Sequence, residues 1–241
     1  MADSLSHLKN QYKDHPGFIM SCGPSINSID LEKLKWKLVI GTSLAYKSGV
    51  SLAYSCMGDK QIASQFWQEL YDLPTTLIVS QTIKNSFFSD RPRTYGFEGT
   101  YTRRFCTDLS KGYIYGGGTS TFLAMQLAYW LGMNPVYCIG LDHYKTYEDG
   151  IGNISSTGRK NLSGKPLVVA EGKDKHHFTN DFYGKGTKYF LPTIDKMTAS
   201  YKLTRVAYER NKREIYNLSP NTNLSEDIIP RKDFEEVINE I

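Results

Sequence analysis

Short apolar runs alternate along this chain with segments whose apolar residues recur every three or four positions. Gly17 to Cys22 reads as a first strand and runs into Gly23-Pro24-Ser25. From about Ser28 to Lys35, Ile29, Leu31 and Leu34 fall roughly on one side of a helix. Leu38 to Thr42 is a second strand, and Leu52 to Cys56 a third that ends at Gly58-Asp59. Ile62, Phe66, Trp67 and Leu70 make one face of a helix from Lys60 to about Tyr71. Thr75 to Val79 is a fourth strand. Between Ile83 and Tyr115 the pattern breaks into aromatic and basic residues with Gly96 and Gly99, which predicts a hairpin or an excursion over the surface.

Order returns at Gly116-Gly117-Gly118-Thr119-Ser120, followed by a helix to about Leu131 with Gly132 as its stop. Val136 to Ile139 is a fifth strand, ending in Gly140-Leu141-Asp142-His143-Tyr144. Residues from Lys145 to about Pro192 are polar, glycine-rich and weakly patterned, which predicts a long lid or binding loop. A helix from about Thr193 to Asn211, a short strand from Glu214 to Asn217 and a charged helix from about Arg231 complete the chain. This βαβ rhythm predicts an α/β fold: a Rossmann-like, mainly parallel sheet with helices on both faces, formed by residues 1–241 as one domain with residues 145–192 as its lid.

Composition adds exclusions. A 40% hydrophobic and 22% charged share over 241 residues does not fit a disordered or fibrous chain. No apolar run is long enough for a membrane-spanning helix, and the polar first residues do not read as a secretion signal, so the expected location is the cytoplasm. The net charge of +4 suits an anionic small molecule as well as weak nucleic-acid contact. Cys22, Cys56, Cys106 and Cys138 form no C-x-x-C pair, and three lie in apolar runs, which favours buried, reduced thiols over a metal site or disulfides.

Candidate chemistry collects after the strands. In open parallel sheets ligands bind outside the carboxyl ends, at the topological switch point. Gly23-Pro24-Ser25, Thr42-Ser43, Gly58-Asp59 and Gly140 to Tyr144 all sit at such ends. The same residue types also serve turns and caps. Gly116 to Ser120 before a helix offers backbone N–H groups, hydroxyls and a positive dipole end to a phosphate, although Thr119 or Ser120 could equally cap that helix. No Walker loop is present and no G-x-G-x-x-G follows a strand, which disfavours P-loop kinases and Rossmann dehydrogenases. Asp59 and Asp142 could face one crevice and hold Mg²⁺ or Mn²⁺, accept from a ribose or base, or cap turns.

Among the histidines, His7 and His15 are expected in solvent, and His143 lies in the loop after the fifth strand. His176 is expected on a loop surface, and His177 is the candidate general base for an acceptor hydroxyl. Arg91, Arg93, Arg103 and Arg104 flank aromatics without any nucleic-acid-binding signature, so they read as a charged rim or solvated surface, and no nucleic-acid partner is expected.

The run from Ser21 to Asp30 (SCGPSINSID), the Gly-Gly-Thr-Ser loop, Leu-Ala-Tyr-Trp-Leu-Gly and Tyr-Cys-Ile-Gly-Leu-Asp-His-Tyr through Tyr144 resemble the MptE-like superfamily. That superfamily includes 6-hydroxymethylpterin diphosphokinases and domains of flagellin-modifying glycosyltransferases, and is more distantly similar to bacterial sialyltransferases that use CMP-sialic acid. The resemblance runs from about Phe18 to Pro220. It sets Gly23, Pro24 and Ser25 against a donor nucleotide, with Thr119 and Ser120 near its phosphate and sugar; the loops at the strand ends add Ser43, Asp59, Gly118 and Asp142 to the candidate nucleotide site. Within it, Tyr144 would stabilise the departing phosphate and His177 would stand as base. The sialyltransferases carry asparagines where this chain has Cys22, Ser43 and Asp59, and an arginine where it has Gly117. An aspartate beside a diphosphate is easier to accommodate with a divalent metal present.

Three functions stay open on the sequence. The favoured one is a sialyltransferase-like glycosyltransferase with a CMP-type nucleotide sugar as donor and a glycan-type acceptor. The others are a Mg-dependent diphosphokinase transferring pyrophosphate from ATP, and a non-catalytic nucleotide or glycan-binding module. A homo-oligomer is compatible with each. The two enzyme readings fall if Ser25, Asp59, Ser120 and Asp142 lie on separate sides of the molecule.

Overall fold

A computed structural model describes residues 3–100, 104–144, 154–160, 166–180 and 182–241. In chain order the strands are β1 (Gly17–Met20), β2 (Val39–Thr42), β3 (Tyr54–Met57), β4 (Thr76–Ser80), β5 (Thr94–Thr100), β6 (Tyr113–Tyr115), β7 (Val136–Ile139), β8 (Ile154–Lys160), β9 (Pro166–Ala170), β10 (Lys188–Phe190) and β11 (Ile215–Asn217). The α-helices are α1 (Lys60–Tyr71), α2 (Gln81–Phe87), α3 (Ser120–Leu131), α4 (Ile194–Arg210) and α5 (Phe234–Glu240). Eight strands form one sheet in the order β11-β7-β1-β2-β3-β4-β5-β6, and every pairing in it is parallel. With helices on both faces, this is the expected α/β Rossmann-like fold. The chain steps outward from β1 to β6 and then returns to lay β7 on the other side of β1, so the topological switch point lies between β1 and β7.

Both faces of the sheet are covered, and the strands read as short apolar runs for that reason. Side chains alternate between two cores with the two-residue period of a strand. Ile19, Ile40, Cys56, Ile78 and Cys138 point to one core, and Phe18, Met20, Val39, Leu77, Val79 and Ile139 to the other. Helix α3 is buried from Thr121 to Leu131 because it is apolar all round. Its single interior amide, Gln126, is satisfied. It accepts from the N–H groups of Cys106 and Tyr115 and donates to the carbonyls of Tyr115 and Phe122, stitching β6 to the helix. All four cysteines are free and buried, as expected.

Three expectations are corrected. First, residues 28–35 form no α-helix but two 3-10 turns, Pro24–Ser28 and Leu31–Leu34. Asp30 stands between them and caps the second through the Glu32 N–H (3.1 Å). Second, residues 83–115 are no surface excursion: they supply α2, β5 and β6, which extend the parallel sheet. Gly96 hid this strand in the sequence, since it carries no apolar signal; the end of the Gln81 side chain occupies the space where a Cβ would stand. Arg91, expected on a charged rim, is buried and donates to the carbonyls of Tyr71, Leu73, Thr75 and Pro92, fastening this region. Arg93 donates to the Pro74 carbonyl, Arg104 is exposed, and Arg103 lies outside the described residues.

Third, the expected unstructured lid contains an antiparallel sheet, β10-β9-β8. Residues 145–153, 161–165 and 181 of that segment lie outside the described residues. Its described part is anchored to the main fold. The Phe178 N–H donates to the Cys22 carbonyl at the end of β1 (2.9 Å), and Gln65 of α1 exchanges hydrogen bonds with the backbone of Lys188. Val168, Phe182, Tyr183 and Tyr189 join the core on that face.

Candidate functional site

The loops after β1, β2, β3, β4 and β7 open onto one cavity of about 610 Å³. That size suits a nucleotide-scale ligand. One wall is the switch point. The chain leaves β1 at Gly23 and β7 at Gly140, and the two backbones touch: the Gly23 N–H donates to the Gly140 carbonyl at 2.9 Å. A Cβ on Gly23 would stand 2.5 Å from both that carbonyl oxygen and Asp142 Cγ, so nothing larger than glycine fits there without displacement.

Asp142 is buried at 4% exposure. Its carboxylate accepts from the Ser25 N–H (2.8 Å) and from the Ser25 hydroxyl. Burial pushes its pKa up, and the Ser25 donors and the nearby His177 oppose that only in part. The residues after β11 brace the Asp142 backbone: Asn223 N–H and the Thr222 hydroxyl both donate to its carbonyl, and Ser219 holds the Leu141 N–H.

The next wall gathers helix N-termini. The first turns of α1, α3 and α4 all line the cavity, bringing three helix N-termini together with Lys60 and Lys196. Helix N-termini present N–H groups and the positive dipole end, so an anionic tail is favoured where they meet. Asp59 caps α1 by accepting from the N–H groups of Gln61 and Ile62, and Thr119 caps α3 through the Thr121 N–H. Ser120 accepts from the Ser43 hydroxyl (3.2 Å) and the Gly58 N–H (3.4 Å), tying the ends of β2 and β3 to the start of α3. Ser43 and His143 line this space with φ values of +48° and +49°, left-handed conformations that cost non-glycine residues of order 1 kcal/mol each.

The opposite wall comes from the loop between β9 and β10. His177 lines the cavity with its ring stacked on Phe182 (3.7 Å between centroids, planes at 4°) and edge-on to Tyr183. Its Nδ1 lies 2.7 Å from Asp174 Oδ2. Burial works against the charge on Asp174, but the His177 hydrogen bond and the N–H groups of His176 and Tyr183 outweigh it and hold the carboxyl below its ordinary pKa. His176, expected on the surface, is buried with Tyr144 packed edge-on against it at 4.3 Å, because the loop folds back over β1. The Tyr144 phenol is raised well above its ordinary pKa, by burial first and then by the charges of Asp142 and Asp174, so it keeps its proton at neutral pH and can donate a hydrogen bond. His143 donates or accepts through Nε2 with the Thr198 hydroxyl (2.8 Å), and burial lowers its pKa.

Nine of the eleven residues expected at a site thus line the cavity: Gly23, Ser43, Asp59, Gly118, Thr119, Ser120, Asp142, Tyr144 and His177. Pro24 and Ser25 do not. Pro24 opens the 3-10 turn, and Ser25 lies buried behind Asp142 and holds it. Sequence reasoning overlooked Asp174, although the Asp-x-x-His spacing before His177 is visible, and overlooked the far end of the cavity at Gln81, Thr82 and Glu98. Any Mg²⁺ or Mn²⁺ at the expected ligands Asp59 and Asp142 would have to draw most of its coordination from substrate and water. Asp59 Oδ1 is engaged in capping, both oxygens of Asp142 accept from Ser25, and among the described residues no group of three or more His, Cys, Asp or Glu is placed to hold a metal.

This α/β Rossmann-like chain matches no family model and no curated relative. Among the described residues no helix is long and apolar enough to cross a membrane.

Proposed function

We propose that the chain is a transferase of the sialyltransferase-like kind. It would take a nucleotide-activated sugar, CMP-type by the resemblance stated above, and pass the sugar to a hydroxyl of a glycan-type acceptor. One observation carries this reading: His177 and the three helix N-termini face a single cavity, so a base and an anion-stabilising wall flank the same space. The nucleotide lies across the ends of β1, β2 and β7, with its phosphate toward Thr119 and Ser120. His177 Nε2 takes the proton of the acceptor hydroxyl. The acceptor oxygen forms the new bond to the anomeric carbon while the bond from that carbon to the phosphate oxygen breaks, and the electron pair leaves with the nucleotide. Tyr144 and the α3 N-terminus donate to the leaving phosphate, whose negative charge grows in this step.

The diphosphokinase reading would need a cation at Asp59 and Asp142 that draws most of its coordination from substrate and water. A thermal-shift panel of CMP, CDP, UDP, GDP and ATP, each with and without Mg²⁺ or Mn²⁺, tests the choice through ligand-linked stabilisation. CMP is expected to raise the Tm without metal. A response confined to ATP with metal would replace this reading with the kinase, and silence from every nucleotide would favour a binding module.

A further inference from the structure

We propose that Asp174 is the positioning residue of this site: it fixes the tautomer and the plane of the His177 ring so that the Nε2 lone pair faces the cavity. The inference rests on His177 as the base, and it adds a residue and a mechanism to that reading.

The tautomer follows from donor and acceptor counting. Asp174 Oδ1 accepts the His176 N–H at 2.8 Å, and Oδ2 accepts the Tyr183 N–H at 3.0 Å. The Asp174 side chain is 1% exposed, so three donors and almost no water surround it. An ionised carboxylate only accepts. The contact from His177 Nδ1 to Oδ2 at 2.7 Å therefore places a proton on Nδ1, and neutral imidazole then carries its lone pair on Nε2. The ring cannot easily turn away, since Phe182 covers one face and Tyr183 abuts its edge.

The same carboxylate closes the loop. Its bonds to residues 176, 177 and 183 span the turn that the Phe178 N–H fastens to the end of β1. The base is thereby held at a fixed place relative to the nucleotide wall. When Nε2 accepts a proton, the positive ring stays paired with a carboxylate that does not itself take the proton. The proton has moved from the acceptor hydroxyl to Nε2, and Asp174 remains ionised.

Long-range ¹H–¹⁵N correlation spectra of the His177 ring test this without reference to turnover. In the wild-type protein near neutral pH, Nδ1 is expected at the protonated, pyrrole-like shift and Nε2 at the unprotonated, pyridine-like shift. In Asp174→Asn the amide NH₂ can donate to Nδ1, and the tautomer reverses. Turnover with a nucleotide-sugar donor should then fall about 10²–10⁴-fold, as when an orienting aspartate is replaced in a triad, while the CMP-induced Tm shift stays within experimental error of wild type. Asp174→Glu should restore part of the turnover. A wild-type ring protonated on Nε2 with Nδ1 bare overturns the proposal, and that spectrum decides the matter even where the Asn variant folds poorly. Equal loss of nucleotide binding and turnover in a folded Asn variant also overturns it. An Nδ1-protonated wild-type ring in a protein that turns over no nucleotide sugar upholds the role of Asp174 and sinks the transferase reading instead.

Discussion

Two buried aspartates, one lining the cavity and one behind His177, are held in opposite ways. Asp142, at the switch point, sits between backbones and receives neutral donors from Ser25; burial wins and its pKa rises. Asp174, in the loop between β9 and β10, receives an imidazole and two backbone N–H groups; the donors win and its pKa falls. Both side chains are almost without solvent, so burial alone does not set the charge. The partner does. A carboxylate braced by hydroxyl and amide is a rigid piece of the cavity wall, whereas one braced by an imidazole can stabilise a proton arriving on that ring.

This contrast can be broken at several points. The largest effect should come from His177→Gln: turnover is expected to fall about 10²–10⁴-fold through loss of the base, with nucleotide binding by calorimetry unchanged. Comparable losses in binding would move His177 to the nucleotide wall and erase the division of labour.

On the other wall, Gly23→Ala forces a methyl against Asp142 and the Gly140 carbonyl. It should cost about 1–3 kcal/mol of stability in urea unfolding, the usual range for overpacking, and weaken nucleotide binding as well. Wild-type stability in that variant would mean the two strand ends are not in contact.

Ser120→Ala removes a hydroxyl that bridges β2, β3 and α3 without leaving a buried charge. Stability should change by no more than about 1 kcal/mol, and nucleotide affinity should fall by about the factor of five that one modest hydrogen bond is worth.

The smallest effect is the most diagnostic, because the two aspartates should show opposite signs in acid. Asp174 titrates below its ordinary 3.8 when folded, so its stabilisation is complete above that value and is lost as pH falls from 3.8 toward the folded value. Asp142 titrates above 3.8 when folded, so its contribution declines as pH rises from 3.8 through the raised value. Measured by urea unfolding between pH 3 and 6, the stability of Asp174→Asn relative to wild type should improve on acidification. That of Asp142→Asn should improve as pH rises. Matching signs would remove the contrast.

How far the sequence foretold this depended on which interactions made the signal. β1, β2, β3, β4 and β7 are buried on both faces, so each is a short apolar run that stands out locally. Helix α1 was legible from its one apolar face and from Asp59 at its start. β5 was not, since Gly96 makes room for Gln81 and the buried Arg91 looks like a surface charge until its carbonyl partners are seen. In the sheet β10-β9-β8 only the apolar run of β9, Leu167 to Ala170, left a local signal; β8 is mostly polar and β10 only three residues long, and their antiparallel pairing leaves none. At the site, the small and polar residues after each strand were visible, while the pairing of Asp174 with His177 looked like two polar loop residues among many.

The order of apolar runs and helical faces along the chain determined, by itself, a parallel sheet with helices on both faces and polar loops at the ends of its strands. Burial is an averaged, local demand, and twenty residue types record it well. Only the tertiary structure decided which loops meet, that Ser25 stands behind Asp142 and outside the cavity, and that one carboxylate is held in the cavity wall and the other for a histidine. The place of Ser25 depends on a contact between residues 117 positions apart, and the pairing of Asp174 on which way a side chain three positions from its partner turns inside a folded loop; a pattern of residue types fixes neither.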